Sequence, residues 1–139
     1  MKIPYVDLSY KNKSKKELIK VFKKVLDKGQ FVGGDEIDLF EKKIAKLCGT
    51  NYAVALNSGT DALTLALHLL GVRKGDEVIT PPNSFIASTA VIVHLGAKPV
   101  FVDVLSDQNI DPNKIQSAIT KKTKVIMPVH LSGRMSQMD

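Results

Sequence analysis

The first part of the chain carries hydrophobic residues at the spacing of amphipathic helices. One helix is predicted over residues 15–27, with Ser14 as its cap and Glu17 three residues later, as in a capping box. A second helix is predicted between Asp35 and Gly49. The hydrophobic positions of the two helices are Leu18, Phe22, Val25 and Leu26, then Ile37, Phe40, Ile44 and Leu47.

From residue 52 the pattern changes to short apolar runs that alternate with apolar helices. Strands are predicted at residues 52–56, 77–80, 99–102 and 124–129, and helices at 60–70, 84–95 and 112–119. Apolar strands joined by helices are typical of a mainly parallel sheet with helices on both faces and right-handed crossovers. The sequence therefore predicts an α/β fold, with two leading helices over residues 14–48 and βα units over residues 52–131.

Composition places the chain among folded globular proteins. Its 139 residues are 44% hydrophobic and 24% charged, which argues against a disordered or fibrous chain. No apolar run reaches bilayer length and the amino end has no signal-peptide hydrophobic region. We therefore expect a cytoplasmic protein with no membrane partner. The single cysteine, Cys48, can form no internal disulfide and has no metal-site spacing; we expect it to pack near a helix end, and no metal ligand is assigned.

The net charge of +6 raises the question of an acidic partner. Nine lysines fall within the first 28 residues, at positions 2, 11, 13, 15, 16, 20, 23, 24 and 28. The chain has only two arginines, Arg73 and Arg134, and its lysines are not accompanied by an interleaved set of aromatic residues for base stacking. A solvated helix face is the simpler interpretation, and acidic lipid or nucleic acid is the alternative. We expect no nucleic-acid partner.

The predicted strand at residues 52–56 leads directly into the heptapeptide Asn57–Leu63. The first N–H groups of a helix have no intrahelical partner, and the helix dipole adds partial positive charge there. Gly59 would let a ligand approach the backbone closely. The sequence therefore predicts a phosphate site at this junction, beyond the carboxyl end of a strand, where ligands bind in such sheets. The alternative is that Ser58 or Thr60 only caps the helix.

Two further strand ends are expected to face the same region. Phe85 follows the strand that ends at Thr80, and an aromatic ring there would stack on a planar heterocycle; the alternative is a core residue or a hydrophobic staple. His130 follows the last strand, either as a ligand contact or proton carrier, or as a histidine that is hydrogen-bonded at the edge of the core. The residues alone leave both pairs of alternatives open.

Several motifs occur along almost the whole chain in a characteristic order and spacing. They are residues 32–41, Cys48-Gly49, the heptapeptide Asn57–Leu63, and residues 75–79, 85–88, 96–103, 109–112 and 129–131. This order and spacing resembles the DegT/DnrJ/EryC1/StrS sugar aminotransferases, which use pyridoxal phosphate (PLP) on the fold-type I aminotransferase scaffold. Linked motifs are far more specific than a single Ser-Gly-Thr. The resemblance implies that residues 1–139 form the amino-terminal portion of the PLP-binding large domain.

The resemblance also implies a ligand for the phosphate site. The turn that matches Gly59, Thr60 and Asp61 would hold the PLP phosphate through backbone N–H groups and the threonine hydroxyl, and Phe85 would stack on the pyridine ring. Residues 30–33 would border the substrate. The implied reaction moves an amino group from an amino acid, usually glutamate, to a nucleotide-linked keto-sugar in a homodimer. The alternatives are a PLP-dependent sugar dehydratase of the same family and a non-catalytic domain that binds a phosphate ligand.

The resemblance places the catalytic residues later in the chain than Asp139. In the family, this holds for the lysine that forms the Schiff base and for the acidic partner of the pyridinium nitrogen. No lysine present stands in the family's Ser-x-x-Lys context, and Asp103 matches a structural position. We therefore expect no catalytic residue, no small carboxyl-terminal domain and no reaction by this chain alone. We also expect self-association, because such a portion would expose apolar surface on its first helix or a sheet edge.

Overall fold

The computed structural model describes the backbone of residues 12–139 and the side chains from Ser14 onward. Lysines 2 and 11, the side chain of Lys13 and the amino end without a signal-peptide region lie outside the described residues. The chain divides into two compact units at the boundary between Ala55 and Leu56. Within the described residues, every helix is too short or too polar to span a bilayer.

The first unit contains the two predicted helices, α1 (Asn12–Lys28) and α2 (Asp35–Cys48). A glycine in the left-handed conformation follows each helix, with φ of 65° at Gly29 and 66° at Gly49. Glycine adopts this conformation without a Cβ clash and so ends a helix cleanly. The predicted capping box at Ser14 is wrong, because a cap precedes the first helical turn and α1 already includes Ser14.

Both polar and apolar side chains of α1 are exposed. Lys28 Nζ lies 3.2 Å from Asp35 Oδ2 and 3.0 Å from Glu36 Oε1, and these pairs join the end of α1 to the start of α2. The described lysines of α1 are exposed, as expected for a solvated face. The apolar residues Leu18 and Phe22 are exposed as well, Phe22 by 64%. The predicted apolar surface on this helix is therefore confirmed.

Residues 52–56, predicted as a strand, are not a strand in the structure. A strand needs a neighbour with which to exchange backbone hydrogen bonds, and the described strands pair only with one another. Side chains bind the backbone of the segment instead. The Ala55 N–H donates to Glu41 Oε1 at 2.7 Å, and the Tyr52 carbonyl oxygen accepts from the Thr50 hydroxyl at 2.9 Å. An apolar run alone does not make a strand.

The second unit is a parallel sheet with helices on both faces, which confirms the predicted fold class. Its elements are α3 (Gly59–Leu69), β1 (Glu77–Thr80), α4 (Ile86–His94), β2 (Lys98–Phe101), α5 (Pro112–Ala118) and β3 (Thr123–Ile126), followed by a 3-10 turn at Leu131–Gly133. The three strands run parallel in the order β2-β1-β3. Each helix and strand predicted after residue 56 is present, with small shifts at its ends.

Strand β1 lies at the centre of the sheet and is buried along its whole length. Val78 belongs to the cluster under α3 and α4, together with Leu67 and Val91. Ile79 belongs to the cluster on the other face, which α5 covers through Ile115. Because successive strand residues point to opposite faces, this one short strand organises both halves of the core.

Glu77 ties three segments together at the amino end of β1. Its side chain accepts a hydrogen bond from the Thr120 hydroxyl at 2.6 Å, and Oε1 lies 3.4 Å from Lys98 Nζ on β2. Its backbone N–H donates to the Lys122 carbonyl oxygen at 2.8 Å. The residue is only 7% exposed. The Thr120 hydroxyl, and after it Lys98, hold the pKa of the Glu77 carboxyl below its ordinary value.

Replacing Glu77 with Gln is expected to destabilise the fold at neutral pH, because the amide loses the charge-assisted hydrogen bonds. The pKa of Glu77 is lower in the folded than in the unfolded chain, so the ionised carboxyl stabilises the fold above its ordinary pKa of 4.5. This stabilisation is lost as the pH falls through the lowered value. The difference in urea midpoint between the wild type and Glu77→Gln, followed by circular dichroism, should therefore narrow below pH 4.5.

Asp103→Asn is the matched control. It breaks an ion pair to Lys114 of 2.9 Å in which both side chains are exposed, and such pairs contribute little to stability. If Asp103→Asn lowered the urea midpoint at neutral pH as much as Glu77→Gln does, the claim that burial makes the Glu77 contacts more stabilising than an exposed ion pair would be wrong.

Candidate functional site

The amino end of α3 presents two backbone N–H groups that have no acceptor in the described part of the chain. Ser58 caps the helix: its Oγ accepts from the Asp61 N–H at 3.1 Å, and its carbonyl oxygen accepts from the Ala62 N–H at 3.1 Å. The N–H groups of Gly59 and Thr60 are left without a partner, and both residues are exposed. The cap therefore leaves free the two N–H groups that the predicted anion site would use.

Gly59 has open space beside it. A Cβ built at this position would meet no atom within 4 Å, and the φ of Gly59 is not in the left-handed region. The backbone conformation therefore does not require glycine here. A ligand can approach the two N–H groups from the side on which a side chain would project.

Phe85 and the free N–H groups of Gly59 and Thr60 border one groove between α3 and α4. The groove has a volume of about 740 Å³, within the range of small-ligand sites. Its lining residues are Gly59, Thr60, Ala62, Leu63, Ala66, Phe85, Ala87 and Ser88. Free N–H donors, a hydroxyl and an apolar wall therefore face the same space.

Phe85 is the residue that precedes α4, and it is 78% exposed. This exposure rules out the alternative that Phe85 is a core residue. The segment that carries it starts at Pro81, directly after β1, so the buried strand fixes where this segment begins. An exposed aromatic ring on a groove offers a flat apolar surface to a planar ligand.

Asp61 differs from the other three predicted site residues, because it does not line the groove. Its side chain is half-buried, and Oδ2 accepts a hydrogen bond from the Ser58 hydroxyl at 2.8 Å. A carboxylate in the first turn favours the helix through the dipole. The same negative charge opposes an anionic ligand at the neighbouring N–H groups.

Ser88 lines the groove but is not among the predicted site residues. It lies three residues after Phe85, and its N–H donates to the Phe85 carbonyl oxygen at 3.1 Å. Residues three apart lie on the same face of a helix. That spacing is the signal in the sequence from which Ser88 could have been found.

His130 does not line the groove. Its Nδ1 accepts a hydrogen bond from the Ser136 N–H at 3.1 Å, so in this arrangement the ring proton is on Nε2. Ser136 itself is buried and its hydroxyl donates to the Val129 carbonyl oxygen at 3.2 Å. The structure therefore favours the hydrogen-bonded alternative for His130.

Cys48 is the last residue of α2, at a helix end as predicted, but it is exposed. The preceding Leu47 is exposed too, and Ala45 is the buried residue of this helix. The expectation that Cys48 packs is wrong, because the described part of the first unit places no cover over the last turn of α2.

The sequence matches the model of the DegT/DnrJ/EryC1/StrS aminotransferase family over residues 12–139. It is 42% identical over 139 residues to the dTDP-3-amino-3,6-dideoxy-alpha-D-galactopyranose transaminase of Aneurinibacillus thermoaerophilus, a match that covers 99% of this chain and 38% of that protein. It is 39% identical over 140 residues to the 3-oxo-glucose-6-phosphate:glutamate aminotransferase of Bacillus subtilis, a match that covers 99% of this chain and 32% of that protein.

A solved structure supports the same relationship. The crystal structure of NtdA from Bacillus subtilis with bound cofactor PMP matches with a TM-score of 0.93 and 38% identity, over 99% of this chain and 32% of that one. This chain thus spans between 32% and 38% of the length of these relatives. The match over residues 12–139 shows that the chain belongs to the DegT/DnrJ/EryC1/StrS aminotransferase family, whose cofactor is PLP.

Proposed function

We propose that the protein to which this sequence belongs transfers the amino group of glutamate to a nucleotide-linked keto-sugar. In the net reaction the sugar carbonyl becomes an amine and glutamate becomes its 2-oxo acid. The relative from Aneurinibacillus is named for a dTDP-linked sugar and the one from Bacillus for glutamate, which supports both substrate classes. Bound PLP would supply the electron-accepting ring that this exchange needs. The groove that joins the free N–H groups of Gly59 and Thr60 to Phe85 carries the proposal.

The residues on the groove fit PLP. Two backbone N–H groups and the Thr60 hydroxyl are the donors that a phosphate prefers at a helix amino end. The open side of Gly59 admits the phosphate, and the exposed ring of Phe85 suits the pyridine. Asp61 belongs to the proposed site through its place in the first turn, although its N–H already donates to Ser58 Oγ.

We propose further that residues 1–139 hold the cofactor without completing the reaction. The amine that forms a Schiff base has to reach the cofactor, and none of the residues that line the groove in the described chain is a lysine. The PLP-dependent dehydratase remains the alternative within the family.

A cytoplasmic homodimer is part of the proposal. The exposed apolar residues of α1, among them Leu18, Phe22 and Leu26, support an interface on the first unit. Apolar side chains grouped on one helix are typical of a surface that another protein surface covers.

Replacing Thr60 with Ala is expected to weaken binding of pyridoxamine 5′-phosphate by about 1 kcal/mol, or about fivefold in Kd, because the phosphate loses one hydroxyl donor. This ligand has no aldehyde, so it forms no imines with surface lysines. Isothermal titration calorimetry on the chain measures the change.

Thr64→Ala is the matched control. It removes the same hydroxyl one turn further along α3, where the group donates to the Thr60 carbonyl oxygen at 2.9 Å. Equal weakening by the two variants would contradict a phosphate contact at Thr60. Asp61→Asn should instead strengthen binding, because it removes a negative charge beside the free N–H groups.

The whole protein with PLP is expected to convert L-glutamate and a dTDP-linked keto-sugar into 2-oxoglutarate and the amino-sugar. Residues 1–139 alone should give neither product nor a borohydride-reducible PLP adduct on one specific lysine. Mass spectrometry of the sugar measures the product, and mass spectrometry of the protein measures the adduct. A stoichiometric adduct on one lysine of residues 1–139, together with turnover, would contradict the proposal that these residues do not complete the reaction. A sugar product that has lost water without gaining nitrogen would identify the dehydratase.

The chain is expected to self-associate through the apolar stripe of α1, since burial of such side chains favours association. Light scattering over a range of concentrations should show species larger than the monomer, and Phe22→Ala should shift the distribution toward monomer. Lys23→Ala, an exposed neighbour on the same helix, is the control. A strictly monomeric wild type at high concentration would rule out this interface.

A further inference from the structure

The turn that carries Phe85 is bound by a side chain contact to a distant part of the chain. Asn83 Nδ2 donates a hydrogen bond to the backbone carbonyl oxygen of Gln108 at 2.9 Å, and Gln108 Oε1 lies 3.5 Å away. Asn83 stands between the end of β1 at Thr80 and the ring at Phe85. Neither Asn83 nor Gln108 lines the groove. The contact therefore acts on the turn and not on a ligand.

Gln108 occupies the tip of a tight hairpin that follows β2. Val104 and Ile110 form an antiparallel bridge at its base. Within the hairpin, the Leu105 N–H donates to the Asn109 carbonyl oxygen at 2.8 Å and the Gln108 N–H donates to the Leu105 carbonyl oxygen at 2.9 Å. Gln108 has a φ of 71°, a left-handed conformation that persists in a residue other than glycine only where its surroundings fix it.

Asn109 holds the hairpin to the segment after β3. Its side chain is almost fully buried, Oδ1 accepts from the Leu131 N–H at 3.2 Å, and Nδ2 lies 3.4 Å from the Met135 carbonyl oxygen. Asp107 Oδ1 accepts from the Asn109 N–H at 3.0 Å. The carbonyl group of Gln108 is therefore presented by a backbone that is held on both sides.

We propose that Asn83 is a positioning residue for the ring of the cofactor. By donating to the fixed carbonyl of Gln108, it holds the turn after β1 in the conformation that places Phe85 on the groove. This inference rests on the proposed PLP site. The phosphate contacts lie on α3 and do not pass through Asn83. Loss of the Asn83 contact should therefore weaken recognition of the ring and leave recognition of the phosphate unchanged.

Two ligands separate these effects. Asn83→Ala is expected to weaken binding of pyridoxamine 5′-phosphate about fivefold, the worth of one hydrogen bond, and to leave the Kd for inorganic phosphate unchanged. Asn113→Ala is the matched control, because Asn113 is also exposed and its Nδ2 donates to Asp111 Oδ1 at 3.1 Å at the start of α5, away from the groove. It should change neither affinity.

A reporter on the turn gives a measurement that needs no ligand. The chain has no tryptophan, so Phe85→Trp introduces a single one. In that background Asn83→Ala is expected to lower the fluorescence anisotropy and to raise quenching by acrylamide, whereas Asn113→Ala should change neither.

The outcomes distinguish the two proposals. Equal loss of affinity for both ligands, or an unchanged tryptophan signal, would overturn the positioning role of Asn83. If the wild type bound neither ligand, the proposed cofactor site would fail, and the tryptophan signal would still decide whether Asn83 fixes the turn. The melting temperature of Asn83→Ala should fall no further than that of Asn113→Ala, since one exposed hydrogen bond is lost in each.

Discussion

Burial of β1 on both faces is the constraint on which the second unit depends. Val78 requires the cover of α3 and α4, and Ile79 requires that of α5. The same burial leaves the Thr80 hydroxyl without a hydrogen-bond partner in the described chain, at a cost of about 1–3 kcal/mol. Apolar packing around the strand outweighs that cost. A close-packed core deforms little, so the turn that follows Thr80 starts from a fixed backbone position.

Much of this unit follows from local sequence. The run at residues 77–80 is short, with the apolar residues Val78 and Ile79 at its centre, and Gly75 and Pro81 flank it, so pattern and boundaries agree. The candidate anion site is also local. Ser58 supplies the cap and Gly59 the open side within one helical turn, and the physics of a helix terminus needs no distant residue.

Distant partners account for what the sequence could not predict. Residues 52–56 have the composition of a strand, but pairing depends on a neighbour that no local pattern encodes. The environment of Phe85 was ambiguous for a similar reason, because a large aromatic side chain is equally compatible with a core and with a groove wall. The hydrogen bond between Asn83 and Gln108 joins residues 25 apart, and neither sequence neighbourhood indicates the other.

Gly59 is a glycine that nothing in the described part of the folded chain requires. Its φ is not in the left-handed region, so the backbone does not require glycine, and its Cβ direction is empty. Alanine there would gain helix propensity and lose chain entropy in the unfolded state. Protein stability therefore favours alanine over glycine at residue 59, whereas the proposed phosphate site favours glycine, because its open side admits a ligand. A position whose residue is not the one that stability favours is therefore a place where contact with a ligand, and not packing within the protein, can explain the residue.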